Sequence, residues 1–221
     1  KFKKKYIDES IKKGAIALIS TKYIPNYKIT QFIVQKINYN LKKLLKILKN
    51  NAPKNIIGIT GTNGKTSVVW FISNICFLSK RKIKAYGTLG YYKNLLKIED
   101  SILTTPEYEI LFQKSFSKSK KNGYDFVFEV SSHSISQKRI KGFPINIAAL
   151  TNITKDHLDY HKSFKNYKKA KLNLFLRFLK EGGVAILNDN INGLKNLKQE
   201  LLKKNIRIVT YGKPKSNIFL F

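Results

Sequence analysis

Apolar positions along the chain follow two spacings, and the spacings alternate. "NIIGIT" (55–60) is a continuous apolar run of strand length, and the spacing after it predicts a helix from about Thr66 to Leu78. "YDFVFEV" (124–130) and "INIAALTNI" (145–153) are two more apolar strands. The spacing predicts a helix over "SFKNYKKAKLNLFLRFLK" (163–180), ended by Gly182–Gly183. "VAILN" (184–188) and "IRIVTYG" (206–212) follow as strands, with a lysine-rich helix between them. Apolar strands alternating with helices imply an α/β fold with a mostly parallel sheet covered on both faces.

The first ~50 residues form a separate unit by pattern. "YIDESIKKG" predicts a short helix closed by Gly14, and "AIALIS" a buried strand. "INYNLKKLLKILKNN" carries leucine and isoleucine at helical spacing and runs into an Asn/Pro cluster, Asn50–Pro53. That cluster is the expected boundary, giving units 1–52 and 53–221.

The chain has 221 residues, 43% hydrophobic and 12% aromatic, which is the composition of a globular protein. Lys and Arg number 43 against 13 Asp and Glu, for a formal charge of +30 spread along the whole sequence. Such a balance attracts nucleic acid, acidic membranes or anionic metabolites without choosing among them. Lys, Ile, Asn, Phe and Tyr, all with AT-rich codons, are abundant together, so codon bias is the reading adopted for the charge. The one cysteine, Cys76, lies in an apolar helical run, which fits a reducing cytosol. No apolar run reaches the ~18 residues of a membrane span, and no signal-peptide layout is present. The chain lacks any Met, as expected of a segment of a longer protein.

Ligands of open parallel sheets sit beyond the carboxyl ends of the strands, and the unusual residues lie there. The first strand ends in Gly61-Thr62-Asn63-Gly64-Lys65-Thr66. Glycines let backbone N–H groups turn towards an anion, and the following helix adds its positive N-terminus. Lys65 would neutralise phosphate and Thr66 would ligate Mg²⁺. Ile59 stands where a usual phosphate loop has its first glycine, and a glycine turn with a solvated lysine is the alternative. Glu129, at the second strand end, is either a hard-oxygen Mg²⁺ ligand or a cap of the next turn. "TNITKDHLDYH" packs Asp156, His157, Asp159 and His161 together, and His133 lies in the neighbouring strand-end loop. His with carboxylates suits metal binding or proton transfer. Lys171 falls on an apolar stripe with Phe164, Tyr167, Phe175 and Phe178. Burial would favour a neutral amine able to form a carbamate with CO₂, but periodicity alone favours a lysine that snorkels to solvent.

Taken together, "GITGTNGKTS", "LTTPE", "FEVSSHSISQKRI", "TNITKDHLDYH" and "YKKAKLNLF" resemble the Mur ligases of peptidoglycan synthesis. The match is closest to the type that adds the third amino acid to UDP-MurNAc-L-Ala-D-Glu (MurE type). "GTNGKT" is shared with several Mur ligases and nearly with folylpolyglutamate synthases, whereas "EVSSH" with "DHLDYH" is more specific. The resemblance implies a partial N-terminal UDP-sugar-binding domain over 1–52 and an incomplete central ATPase domain of P-loop type over 53–221. The C-terminal amino-acid-binding domain would be absent, leaving the segment inactive by itself.

The resemblance also implies roles. Gly61, Thr62, Asn63, Gly64, Lys65, Thr66 and Ser67 would form the ATP phosphate loop. Thr66 and Glu129 would hold one Mg²⁺, and His157 with a carbamylated Lys171 a second. Lys65, His157 and Lys171 would be the catalytic set. Thr104, Thr105, Ser131, Gln137 and Arg139 would contact UDP-MurNAc-dipeptide, Arg139 through an anionic group. The implied enzyme is a cytoplasmic, monomeric ATP-dependent ligase acting through an acyl phosphate, with a small amino acid, meso-diaminopimelate or L-lysine, as the second substrate. It needs neither nucleic acid nor a membrane span. Ser67 replaces the common Thr, Ser134 the usual Gly, and "LNDNIN" lacks the paired aspartates often found at that strand end. A folylpolyglutamate synthase-like ligase and a basic nucleic-acid-binding protein are the rival readings.

Overall fold

The computed structural model describes residues 4–37, 52–116 and 123–218. The chain divides into two compact units, Lys1–Lys49 and Asn50–Phe221. In the first, helix α1 (Lys4–Lys12) is followed by β1 (Ala17–Ser20) and β2 (Thr30–Ile33), which pair in parallel. β1 covers less than "AIALIS", and only Ser20 in it is buried, because a two-stranded sheet leaves much of each strand uncovered. The helix expected over "INYNLKKLLKILKNN" lies almost entirely outside the described residues.

The second unit begins with β3 (Ile56–Thr60), α2 (Lys65–Leu78) and β4 (Ile83–Gly87). The hairpin strands β5 (Gly90–Lys93) and β6 (Leu96–Glu99), then α3 (Tyr108–Ser115), precede β7 (Asp125–Glu129) and the short α4 (Ser132–Ser136). After β8 (Ile145–Leu150) come α5 (Leu158–His161) and α6 (Phe164–Asn173). β9 (Leu179–Asn188), α7 (Lys195–Lys203) and β10 (Arg207–Tyr211) close the unit.

The eight strands run in the order β10-β9-β8-β3-β7-β4-β5-β6. Pairings from β10 across to β4 are all parallel, and only the β4-β5-β6 edge is antiparallel. The alternation of strands and helices announced the parallel part. It missed the β4–β6 edge and α3, where charged residues interrupt the runs. β7 shows why its run is unbroken: Val127 packs with Ile59, Val69 and Cys76 on the α2 face. Phe126 and Phe128 meet Phe143 edge to face on the other side, joined there by Tyr108. Parallel strands buried on both faces carry apolar residues at every position.

The helix expected to reach Lys180 changes to a π-helical turn over Leu174–Phe178, and β9 starts at Leu179, before the glycine pair. Gly183 still matters there, since a Cβ would lie 2.7 Å from Lys180 O and 2.8 Å from Asn146 O. Of the expected stripe, Tyr167 on α6 and Phe175 in the π-helical turn are fully buried, while Phe164 keeps 37% of its surface exposed.

Candidate active site

Because β3, β4, β7 and β8 are neighbours and parallel, their carboxyl ends open on one rim. The segment after β3 is shorter than a usual phosphate loop. Ile59 is completely buried in β3, so the strand continues to Thr60 and only Gly61–Gly64 turn. Gly64 has φ 79° and leads into α2 with no side-chain cap, leaving the first-turn N–H groups for an anion. At Gly61 a Cβ would lie 1.8 Å from Thr151 Oγ1, so only glycine fits. Asn152 lashes this loop to the end of β8: its Oδ1 accepts from Asn63 N at 2.9 Å and its Nδ2 donates to Asn63 O at 3.1 Å.

Lys65 Nζ donates to Gly61 O at 2.9 Å and to Thr62 O at 2.7 Å, which tethers the ammonium over the loop. Burial pushes its pKa down, opposed by the charges of Glu129 and Asp156. Thr66 Oγ1 donates to Glu129 Oε1 at 3.0 Å. Glu129 is only 1% exposed, and it also accepts from Thr88 N at 2.7 Å and Thr88 Oγ1 at 3.3 Å. Its carboxylate fills the space a side chain at Gly87 would take.

Lys171 does not snorkel: it is 2% exposed, and its Nζ donates to Gly61 O at 2.6 Å while facing the Tyr167 ring at 4.6 Å. Periodicity misplaces it because α6 packs its Lys171 side against the phosphate loop, where a backbone carbonyl receives the amine. Burial, then repulsion from Lys65, pulls its pKa down to about 7, against the opposing pull of Asp156.

His157, with φ 49° in the left-handed region, donates its backbone N–H to Asp156 Oδ1 at 2.8 Å. Its ring meets His133 at 4.9 Å between centroids. His161 is buried with Nε2 3.0 Å from Ser132 Oγ. The pKa values of His133 and His161 are lowered, by burial first and then by neighbouring positive groups. The clustering of all three histidines, legible as two loops in sequence, is therefore real in space.

Lys65, Thr66, Glu129, His157 and Lys171 line one cavity of about 420 Å³ together with Thr88, Thr104, Thr105, Ser131, Ser132, His133 and Arg139. Arg139 is held as a fork: Nη1 donates to Thr105 O at 2.8 Å and Nε to Gln137 Oε1 at 2.7 Å, with Glu107 3.3 Å away. Gln137 itself does not line the cavity and acts on it through Arg139. Asn63 and Ser67 are exposed beside it. Ser134, where a glycine was expected, is helical and fully buried, its hydroxyl donating to Ser131 O at 2.7 Å, so no glycine is required. Thr88 and Ser132 also line the cavity, and Gly87 and Tyr167 pack behind it against Glu129 and Lys171; the sequence pattern marks none of the four as a site residue. The glycine at the end of β4 was the one signal available.

Among the described residues, no group of three or more His, Cys, Asp and Glu could hold a metal. The oxygen and imidazole donors lining this cavity are the Glu129 carboxylate, the hydroxyls of Thr66 and of five other Ser and Thr residues, and the imidazoles of His133 and His157. That set fits Mg²⁺, which keeps several waters and is completed by phosphate oxygens. No helix among the described residues is long and apolar enough to cross a membrane.

A parallel α/β sheet whose rim gathers a glycine turn at a helix N-terminus, a buried carboxylate and a buried lysine belongs to the class of α/β domains that present a crevice suited to phosphate-bearing ligands. Residues 59–220 match the family described as the Mur ligase middle domain, and the chain belongs to the Mur ligase family. The UDP-N-acetylmuramoyl-L-alanyl-D-glutamate–2,6-diaminopimelate ligase of Rickettsia montanensis is 37% identical over 214 residues, covering 94% of this chain and 44% of that protein. The chain thus spans about half the length of the curated relatives it matches. A solved structure of a ligase of the same name is 25% identical with a TM-score of 0.70, covering 97% of this chain and 44% of the other. A bifunctional folylpolyglutamate synthase/dihydrofolate synthase, 13% identical at a TM-score of 0.55 over 78% of this chain and 47% of its own, shares the fold.

Proposed function

We propose that the chain is the phosphoryl-transfer core of an ATP-dependent ligase acting on UDP-N-acetylmuramoyl-L-alanyl-D-glutamate in the cytoplasm. The observation that carries this reading is the convergence of Lys65, Glu129, His157, Lys171 and Arg139 on one cavity. In the reaction so read, the D-glutamyl carboxylate attacks the γ-phosphorus of ATP as the bond to ADP breaks. The amine of the incoming amino acid then attacks the acyl carbon, and phosphate leaves. The relatives' names make 2,6-diaminopimelate the first amine to test, with L-lysine as the alternative.

Each residue has a task in that sequence. The N-terminus of α2 and Lys65 bind the phosphates and neutralise charge that develops on the transferred group. Arg139, fixed by Gln137 and Thr105, is available to an anionic group of the acceptor, with Thr104 and Ser131 beside it. Bound Mg²⁺ would supply further charge neutralisation, one ion held by Thr66 and Glu129 and a second by His157 and a carbamate of Lys171. Lys171 suits carbamylation because it is buried, and because its hydrogen bond is to the Gly61 carbonyl. A carbamate nitrogen keeps one N–H, so that bond survives the modification. The first unit is read as part of a UDP-sugar-binding domain, and the enzyme as a monomer.

The test uses the complete enzyme. Lys171→Ala abolishes ligation, and Lys171→Arg, which cannot form a carbamate, does not restore it. Near-normal turnover in the alanine variant refutes the reading. Phosphorylation of a folate in place of the UDP-MurNAc-dipeptide would favour the folylpolyglutamate alternative.

A further inference from the structure

Tyr167 is a second buried side chain on α6, completely enclosed, with its hydroxyl 3.0 Å from Thr62 Oγ1. Thr62 Oγ1 donates to Thr154 O at 3.2 Å and accepts from Thr154 N at 3.0 Å. A threonine hydroxyl has one hydrogen and two lone pairs. With that hydrogen on Thr154 O and one lone pair taken by Thr154 N, the remaining lone pair of Thr62 is free to accept from the Tyr167 hydroxyl.

The ring has contacts of its own. Its face lies 4.6 Å from Lys171 Nζ, and it meets the rings of His157 and His161 at 6.2 and 5.3 Å between centroids. Tyr167 therefore touches the loop after β3, the loop after β8 and the buried lysine of its own helix.

We propose that Tyr167 is a positioning residue: its hydroxyl ties α6 to Thr62 where Thr62 also bonds Thr154 of the loop that carries His157, and so holds that junction and the spacing between the groups that bind phosphate and those around Lys171. The functional half rests on the phosphate-binding reading above, while the lock itself rests on geometry alone.

Two readouts on the complete enzyme separate these halves. In Tyr167→Phe, the Thr154 amide should exchange with solvent at least tenfold faster, because its acceptor Thr62 Oγ1 has lost the bond that holds it. Affinity for Mg²⁺–ADP, measured by calorimetry, should fall about tenfold, or about 1.4 kcal/mol. Tyr167→4-aminophenylalanine restores a donor in the same place and should return both values to wild type, which also keeps the test alive if the Phe variant does not fold. Unchanged Thr154 exchange in Tyr167→Phe, or failure of the amino variant to rescue it, overturns the lock. Faster exchange with unchanged nucleotide affinity overturns the positioning role. A wild-type chain that binds no Mg²⁺–ADP refutes the phosphate-binding reading and with it the functional half, and Thr154 exchange still decides the lock.

Discussion

Gly87 is where packing and the candidate metal ligand meet, and Gly87→Ala tests both. Its backbone is outside the left-handed region, so alanine meets no backbone strain. The obstacle is Glu129: an ideal Cβ would sit 2.2 Å from Oε1 and 2.8 Å from both Cδ and Cγ. The carboxylate would have to move by roughly 1 Å to reach ordinary contact distance. Overpacking of this kind costs about 1–3 kcal/mol. Displacement also lengthens the bonds from Thr88 N and Thr66 Oγ1, and one lost bond to a charged group costs about 1.5–3 kcal/mol. Alanine returns about 0.5–1 kcal/mol by restricting the unfolded chain. The net loss is about 3 kcal/mol, which for a chain of this size lowers the melting temperature by about 6–12 °C. Differential scanning calorimetry reads the melting point and titration calorimetry the accompanying loss of Mg²⁺–nucleotide affinity. Gly123→Ala, where a Cβ meets nothing within 4 Å, should stay within about 0.5 kcal/mol of wild type. A Gly87→Ala chain that melts with wild type and binds nucleotide equally well would refute the account of Glu129.

Two further predictions concern charge. Lys171 has its pKa pulled from 10.5 to about 7 by burial first. Between those values the unfolded chain holds a proton that the folded chain has released, so stability rises with pH across that window. The slope is at most about 1.4 kcal/mol per pH unit. Lys84, brought to about 8 mainly by burial, adds to the slope with the same sign. The decisive quantity is therefore the difference from Lys171→Met: denaturant unfolding in CO₂-free buffer between pH 7 and 10 should show a shallower rise for the variant, and equal slopes would contradict the burial argument. Arg139→Lys keeps the charge but cannot hold Thr105 O and Gln137 together as the fork does. Affinity for the UDP-MurNAc-dipeptide should drop about tenfold with nucleotide affinity unchanged; equal binding of the dipeptide would remove Arg139 from the acceptor site.

The sequence alone determined those features whose cause is local. "GTNGKT" needs glycine where the backbone turns left-handed, so a tight turn carrying a lysine into a helix could be read without knowing any neighbour. The unbroken apolar runs of β3, β7 and β8 told of burial on both faces, hence a parallel sheet, hence a shared rim for Lys65, Glu129 and His157. Tertiary structure alone decided the rest. Whether Lys171 reaches solvent depends on what α6 lies against, and the spacing of apolar residues cannot say that a backbone carbonyl waits there. Gly87 matters only because strand order sets β4 beside β7 and brings Glu129 against it. Tyr167 reads as one more core aromatic until its hydroxyl is found on Thr62, 105 residues away in the chain. Contacts of that range are set by strand order and helix packing, which carry no periodicity of their own along the sequence.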